Sequence, residues 1–137
     1  MMYEQIEVTG DAGIKASGAT LEEAFAAAAE GFYSLLTDTE KIREEKTIEV
    51  KAKGDNLESL LVNFLNELVF IFDTKGMLGK KVAVSTLGNG TATAGISGEE
   101  FDPERHPRGL LVKAATYHNL KVENKNGRWE VEVIFDI

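Results

Sequence analysis

The sequence predicts an α+β domain in which two amphipathic helices pack on an antiparallel or mixed sheet. Three observations carry that prediction. Residues 47–53 and 128–136 alternate apolar and polar side chains with the period of a strand. Two longer segments instead repeat apolar residues at helical spacing, each behind a capping residue. A Leu87-Gly88-Asn89-Gly90 segment and an Asn124-Lys125-Asn126-Gly127 segment separate strand-like runs as hairpin turns do.

Taken in order, YEQIEV (3–8) and GIKAS (13–17) read as short strands around the turn TGDAG. Thr20 and Glu23 then form a capping-box pattern. The helix behind it places Leu21, Phe25, Ala28, Phe32, Leu35 and Leu36 on one stripe, and its Ala-rich middle, 24–29, has high helix propensity. TIEVKAK (47–53) puts Ile48, Val50 and Ala52 on one strand face before Gly54 and Asp55 interrupt it. Asn56 caps a second helix expected to run to about Phe72. Its wide apolar face, from Leu57 through Leu60, Leu61, Phe64, Leu65, Leu68 and Val69, predicts that it forms the centre of the core. VAVST and TATAGIS follow as a hairpin. An irregular loop, GEEFDPERHPRG, leads to LLVKAATYHNLKVEN, which is expected to pair with GRWEVEVIFDI. In that last strand Trp129, Val131, Val133 and Phe135 share a face. The two helices echo each other weakly, as Leu21-Glu-Glu runs to Asp38-Thr39 and Leu57-Glu-Ser runs to Asp73-Thr74. A β-α-β duplication would produce this echo, and so would two ordinary amphipathic helices.

Composition bounds the function. The 137 residues suit one domain, 1–137, which would bury roughly 68% of its unfolded surface. With no Cys there are no disulfides, thiolate metal sites or thiol nucleophiles, which fits a reducing, cytoplasmic setting. MMYEQIEV does not read as a signal peptide, and Asn63, Asn66 and Glu67 break the longest apolar stretch, so no membrane partner is expected. A net charge of −8 argues against direct nucleic-acid binding, because the densest basic group, Arg105, His106, Arg108 and Lys113, is small. No Walker-type loop, GxSxG or HExxH-like pairing nominates an enzyme.

The carboxylates are more informative. Asp38 and Asp73 lie just past helices, where the macrodipole disfavours an anion by about 0.3–1 kcal/mol. Asp11 sits in a glycine-flanked turn, and Asp136 precedes Ile137 at the end of a strand. Carboxylates held close are unfavourable unless a cation joins them, and oxygen donors suit Ca²⁺, Mg²⁺ or Mn²⁺ rather than Zn²⁺. Turn capping and plain solvation are the competing explanations.

Several segments, in order along the chain, resemble the archease family: TGDAGI (9–14), TLEEAF (20–25), LLTDTEK (35–41), LLVNFLNELVFIFDT (60–74), FDPERHP (101–107), VKAATYH (112–118) and FDI (135–137). The resemblance implies a non-enzymatic activator of an RtcB-type tRNA-splicing RNA ligase, promoting guanylylation and multiple turnover of the ligase. The alternative it implies is a chaperone-like modulator of a tRNA cytosine methyltransferase, with a structural metal. It also implies a divalent metal site, calcium first, at Asp11, Asp38, Asp136 and the Ile137 carboxylate. One motif departs from the family: Val8-Thr9-Gly10-Asp11 stands where His-Thr-Ala-Asp is common. In the other matching segment His118 is expected to be partly buried and hydrogen-bonded. The competing functional reading makes His106, Lys113 and His118 part of a partner-facing surface. Asp73 is expected to cap the second helix.

Overall fold

The two N-terminal strand segments fold as a hairpin of β1 (Met2–Val8) and β2 (Asp11–Gly18), with Asp11 already paired to Val8 as the first strand residue rather than lying in the turn. The computed structural model describes residues 1–137. After β2 come α1 (Leu21–Leu36), a 3-10 turn (Thr39–Lys41), β3 (Lys46–Lys53) and α2 (Leu57–Lys75). The hairpin of β4 (Met77–Gly88) and β5 (Thr91–Glu100) follows, then β6 (Ala114–Ala115), β7 (Lys121–Lys125) and β8 (Arg128–Asp136).

Two antiparallel sheets result. The first has the order β1-β2-β8-β6, with β7 also on β8, and the second β3-β5-β4. Both β3 and β4 run antiparallel to β5, so α2 completes a β-α-β crossover within the second sheet. The α1 segment passes from the first sheet to the second instead. The hairpin turns at Asn89-Gly90 and Asn126-Gly127 hold both residues at positive φ (53° and 73°, 54° and 81°), the twist that a two-residue hairpin needs.

The centre of the core is α1, not α2. It packs on β2 of one sheet and β4 of the other. The six residues from Ala24 to Ala29 are all buried, whereas the exposed residues of α2 include Asn63, Glu67 and Phe70. Short side chains let both sheets approach: a Cβ on Gly31 would lie 2.7 Å from Cγ2 of Ile14 in β2. The apolar face of α2 is wide, but it meets mainly β3 and the short β6. The polar residues of α1, Glu22, Glu23, Glu30 and Ser34, form one partly covered strip, whereas most of those of α2 stay in solvent. On the β4 side Glu30 accepts the Val82 N–H at 3.1 Å, and burial raises the pKa of that carboxyl against the pull of the bond.

Both helices start at the expected cap residue. The capping box expected at Thr20 is only half formed, as the Glu23 carboxylate faces the Met1 amino group, and the complete box is at α2. Thr20 accepts from Glu23 N–H at 3.1 Å, and Asn56 accepts from Ser59 N–H at 2.8 Å with Ser59 returning the bond. The far end of α2 runs past Phe72 to Lys75 and closes on Gly76, whose N–H donates to Phe72 O. Asp73 is therefore an exposed residue of the last turn rather than the cap. Its companion segment also differs. Of residues 110–124, only 114–115 and 121–124 are strand, because Gly109 and Leu110 spend their N–H groups on the end of α1. Asn66 ties this segment to α2, accepting from Ala115 N–H at 2.7 Å and donating to Ala115 O at 3.4 Å. Asn66→Ala is expected to cost about 1–3 kcal/mol in urea unfolding, since the N–H and the C=O of Ala115 both lose their partner.

Candidate functional site

Two of the predicted ligands, Asp11 and Asp136, fall together at one end of the first sheet. The β2–β8 register pairs Ala12 with Phe135, so the next step along the strands sets Asp11 beside Asp136. Asp11 is half-buried and Asp136 exposed. Asp38 follows Thr37, the last cap of α1, and its Oδ1 accepts Glu40 N–H at 3.1 Å to start the 3-10 turn. A single strap joins these places. Gly109 N–H and Leu110 N–H donate to Leu36 O and Leu35 O, each at 2.8 Å, and Lys113 N–H donates to Asp136 O at 2.8 Å. Between β1, the end of α1 and this strap lies a groove of about 600 Å³, with Glu7, Asp11, Leu35 and Leu110 among its lining residues. Leu111 beside it is 73% exposed and Ile137 38%.

This end is acidic with apolar borders, but its side chains do not form a coordinating group. No three His, Cys, Asp or Glu residues stand close enough together to hold a metal ion. Asp11 and Asp136 are neighbours, while one oxygen of Asp38 is engaged by its own turn.

The histidines exchange the roles expected of them. His118 is exposed, beside Asn119 at φ 50°, and Tyr117 next to it is also exposed. His106 is the buried one, 1% exposed, so it is not a partner-facing residue. Its Nδ1 accepts Asp102 N–H at 2.8 Å, which leaves the proton of the neutral ring on Nε2. That Nε2 donates at 3.0 Å to Oε2 of Glu99, a carboxylate only 3% exposed. Oε2 also accepts Arg43 N–H at 2.7 Å, and Oε1 takes a close ion pair from Arg105 Nη2. Burial by itself would raise the pKa of Glu99. The bonds from Arg105, Arg43 and His106 outweigh it and hold the carboxyl down at about 2.

Phe101 extends this cluster, packing on His106 (5.8 Å between ring centres) and edge-on to Phe72, with the Arg108 guanidinium 4.8 Å from its ring. The irregular loop after β5 is thus fastened internally, and its continuation is the strap that reaches Asp136. Sequence reasoning missed Glu99. The available signal was the charged pair Glu99-Glu100 closing an alternating strand, of which only one can face solvent.

Comparison with known proteins follows the same extent. The model of the Archease protein family matches residues 3–137. The archeases of Methanopyrus kandleri and Pyrococcus furiosus are each 38% identical, the first over 100% of both chains and the second over 98% of both. The solution structure of protein 1598 from Methanobacterium thermoautotrophicum, 36% identical, superposes with a TM-score of 0.77 over 98% of each chain. A Thermotoga maritima archease, described as a possible chaperone, shares the fold at 22% identity and a TM-score of 0.62 over 100% of this chain and 98% of its own. With this identity sustained from end to end, the chain belongs to the archease family.

Proposed function

We propose that this protein is a non-enzymatic, cytoplasmic accessory factor that activates an RtcB-type tRNA-splicing RNA ligase. Family membership across residues 3–137 carries the reading. The acidic end around Asp11, Asp136 and Glu7 supports it, because a basic RNA-binding partner is steered towards such a surface. The fold contains no helix long and apolar enough to cross a membrane.

An activator changes the turnover of its partner only by binding one state of it better than another. The Leu110 and Leu111 side chains beside the carboxylates offer the apolar area for that contact, and the strap from 109 to 113 holds them in place. Calcium, or else magnesium or manganese, is the ion proposed for Asp11, Asp38, Asp136 and the Ile137 carboxylate. It is tested separately from activation, since the side chains do not stand as a coordinating group.

Guanylylation of the ligase is measured with native protein and with Asp136→Ala and Asp38→Ala. The expected result is stimulation by the native chain and its loss in both variants, with thermal midpoints unchanged for Asp136→Ala. Stimulation of a tRNA cytosine methyltransferase with no effect on the ligase would overturn the reading in favour of the chaperone-like role. Calorimetric titration with calcium then compares native protein with Asp136→Ala and with a chain extended beyond Ile137. Heat of binding retained in both would remove the terminal site without touching the ligase result.

A further inference from the structure

Away from the acidic end, β3 forms an open edge of the second sheet. Gly54 N–H donates to Gly90 O on the β5 side at 3.0 Å. Counting back by two, Ala52, Val50 and Ile48 also turn their backbone groups towards β5. The N–H and C=O groups of Thr47, Glu49 and Lys51 therefore face outward, together with the N–H of Lys53. Only Lys53 O on that edge is taken, by Asn63 Nδ2 at 2.7 Å.

Beside this edge α2 presents Asn63, Asn66, Glu67 and Phe70, a stripe at helical spacing, and the two elements enclose a groove of about 580 Å³. Phe70 is 61% exposed, the most exposed aromatic ring of the molecule. The lysines at 51 and 53 stand on the outer side of the groove, Lys51 only loosely paired to Glu49 at 3.6 Å. We propose that this groove binds an extended acidic peptide segment of a partner protein, added as a fourth strand beside β3.

The chemistry sets the pattern of that segment. Residues that pair with Lys51 and Lys53 share their face and are acidic. The residues between them turn inward, beside Val50 and Ala52 and against Phe70, and are apolar. A second copy of this chain fits less well. Asn63 reaches across to Lys53, so α2 overhangs the edge. Two copies paired about 4.8 Å apart would bring their helices closer than the roughly 8–10 Å that packed helices need. The lysines also discourage indiscriminate edge pairing while accepting an acidic strand.

Fluorescence anisotropy tests this with a labelled peptide of alternating Glu and Val, and with its counterpart carrying Lys for Glu. Lys51→Pro removes one outward N–H, a substitution that an edge strand accepts, and Phe70→Ala removes the exposed ring. The expected result is binding of the Glu-Val peptide only, weakened about tenfold in each variant. Circular dichroism checks that both variants fold, and Phe70→Ala carries the test if Lys51→Pro does not. Absence of binding, equal binding of the Lys-Val peptide, or affinity unchanged in both variants overturns the proposal. So does sedimentation of the native chain as a dimer that Lys51→Pro dissociates.

Discussion

Glu99→Ala is expected to lower stability by about 3 kcal/mol at neutral pH, read as a shift in the urea midpoint. The variant strands three donors at once. Arg43 N–H and His106 Nε2–H lose the oxygen they share, and Arg105 loses its ion pair. His106 has no alternative partner at 1% exposure, whereas Arg105, with its side chain 31% exposed, recovers water. Arg105→Ala is the milder change for that reason, since Glu99 keeps the Arg43 and His106 bonds.

The pH dependence separates this network from simple packing. The folded carboxyl sits at about 2 against an ordinary 4.5, so its contribution is present in full above the ordinary value. It is lost as pH falls from 4.5 towards 2. The gap between native protein and Glu99→Ala in urea should therefore narrow steadily across that interval. A gap that stays constant down to about pH 2 would mean that the carboxylate's charge has no part in the stabilisation.

The legibility of these features in the sequence follows their range. Caps, hairpin turns and the alternation of β3 and β8 depend on neighbours within four residues, and Thr20, Asn56, Asn89-Gly90 and Asn126-Gly127 all perform as their residue types predict. Asp11 and Asp136 stand at opposite ends of the sequence, and it is the β2–β8 pairing, across more than a hundred residues, that makes them neighbours. Periodicity alone cannot supply a pairing of that kind. Residues 110–124 read as strand because they lie ahead of the Asn124-Lys125-Asn126-Gly127 turn and face the apolar last strand. Competition from the carbonyls at the end of α1 decides otherwise, and no local pattern records those. His106 and His118 differ from expectation for a related reason. A proline-flanked polar loop reads as solvated, and only the buried Glu99 turns it inward.

The exchange between α1 and α2 as the centre of the core is a matter of what a helix faces, and it has a measurable consequence. An apolar stripe is enough to seat α2 on one layer. On α1 the run from Ala24 to Ala29 is buried throughout and Glu22, Glu23, Glu30 and Ser34 are only partly exposed, so the helix is covered by layers on more than one side. Phe32, fully buried on α1, packs its ring 5.0 Å from Tyr33 and 5.6 Å from Phe135 of β8. Phe32→Ala should cost about 4 kcal/mol, because sheets on both sides of the helix limit collapse into the cavity. Phe70→Ala removes the same ring from the exposed stripe of α2 and should change stability by no more than about 0.5 kcal/mol. Urea unfolding of the pair decides the point: a cost below about 2 kcal/mol at Phe32 would mean that α1 has room to relax and lies near the surface. The larger cost would also reach the acidic end, since Phe135 lies one residue before Asp136 and opposite Ala12 in β2. Loosening the core at Phe32 therefore loosens the pairing that sets Asp11 beside Asp136.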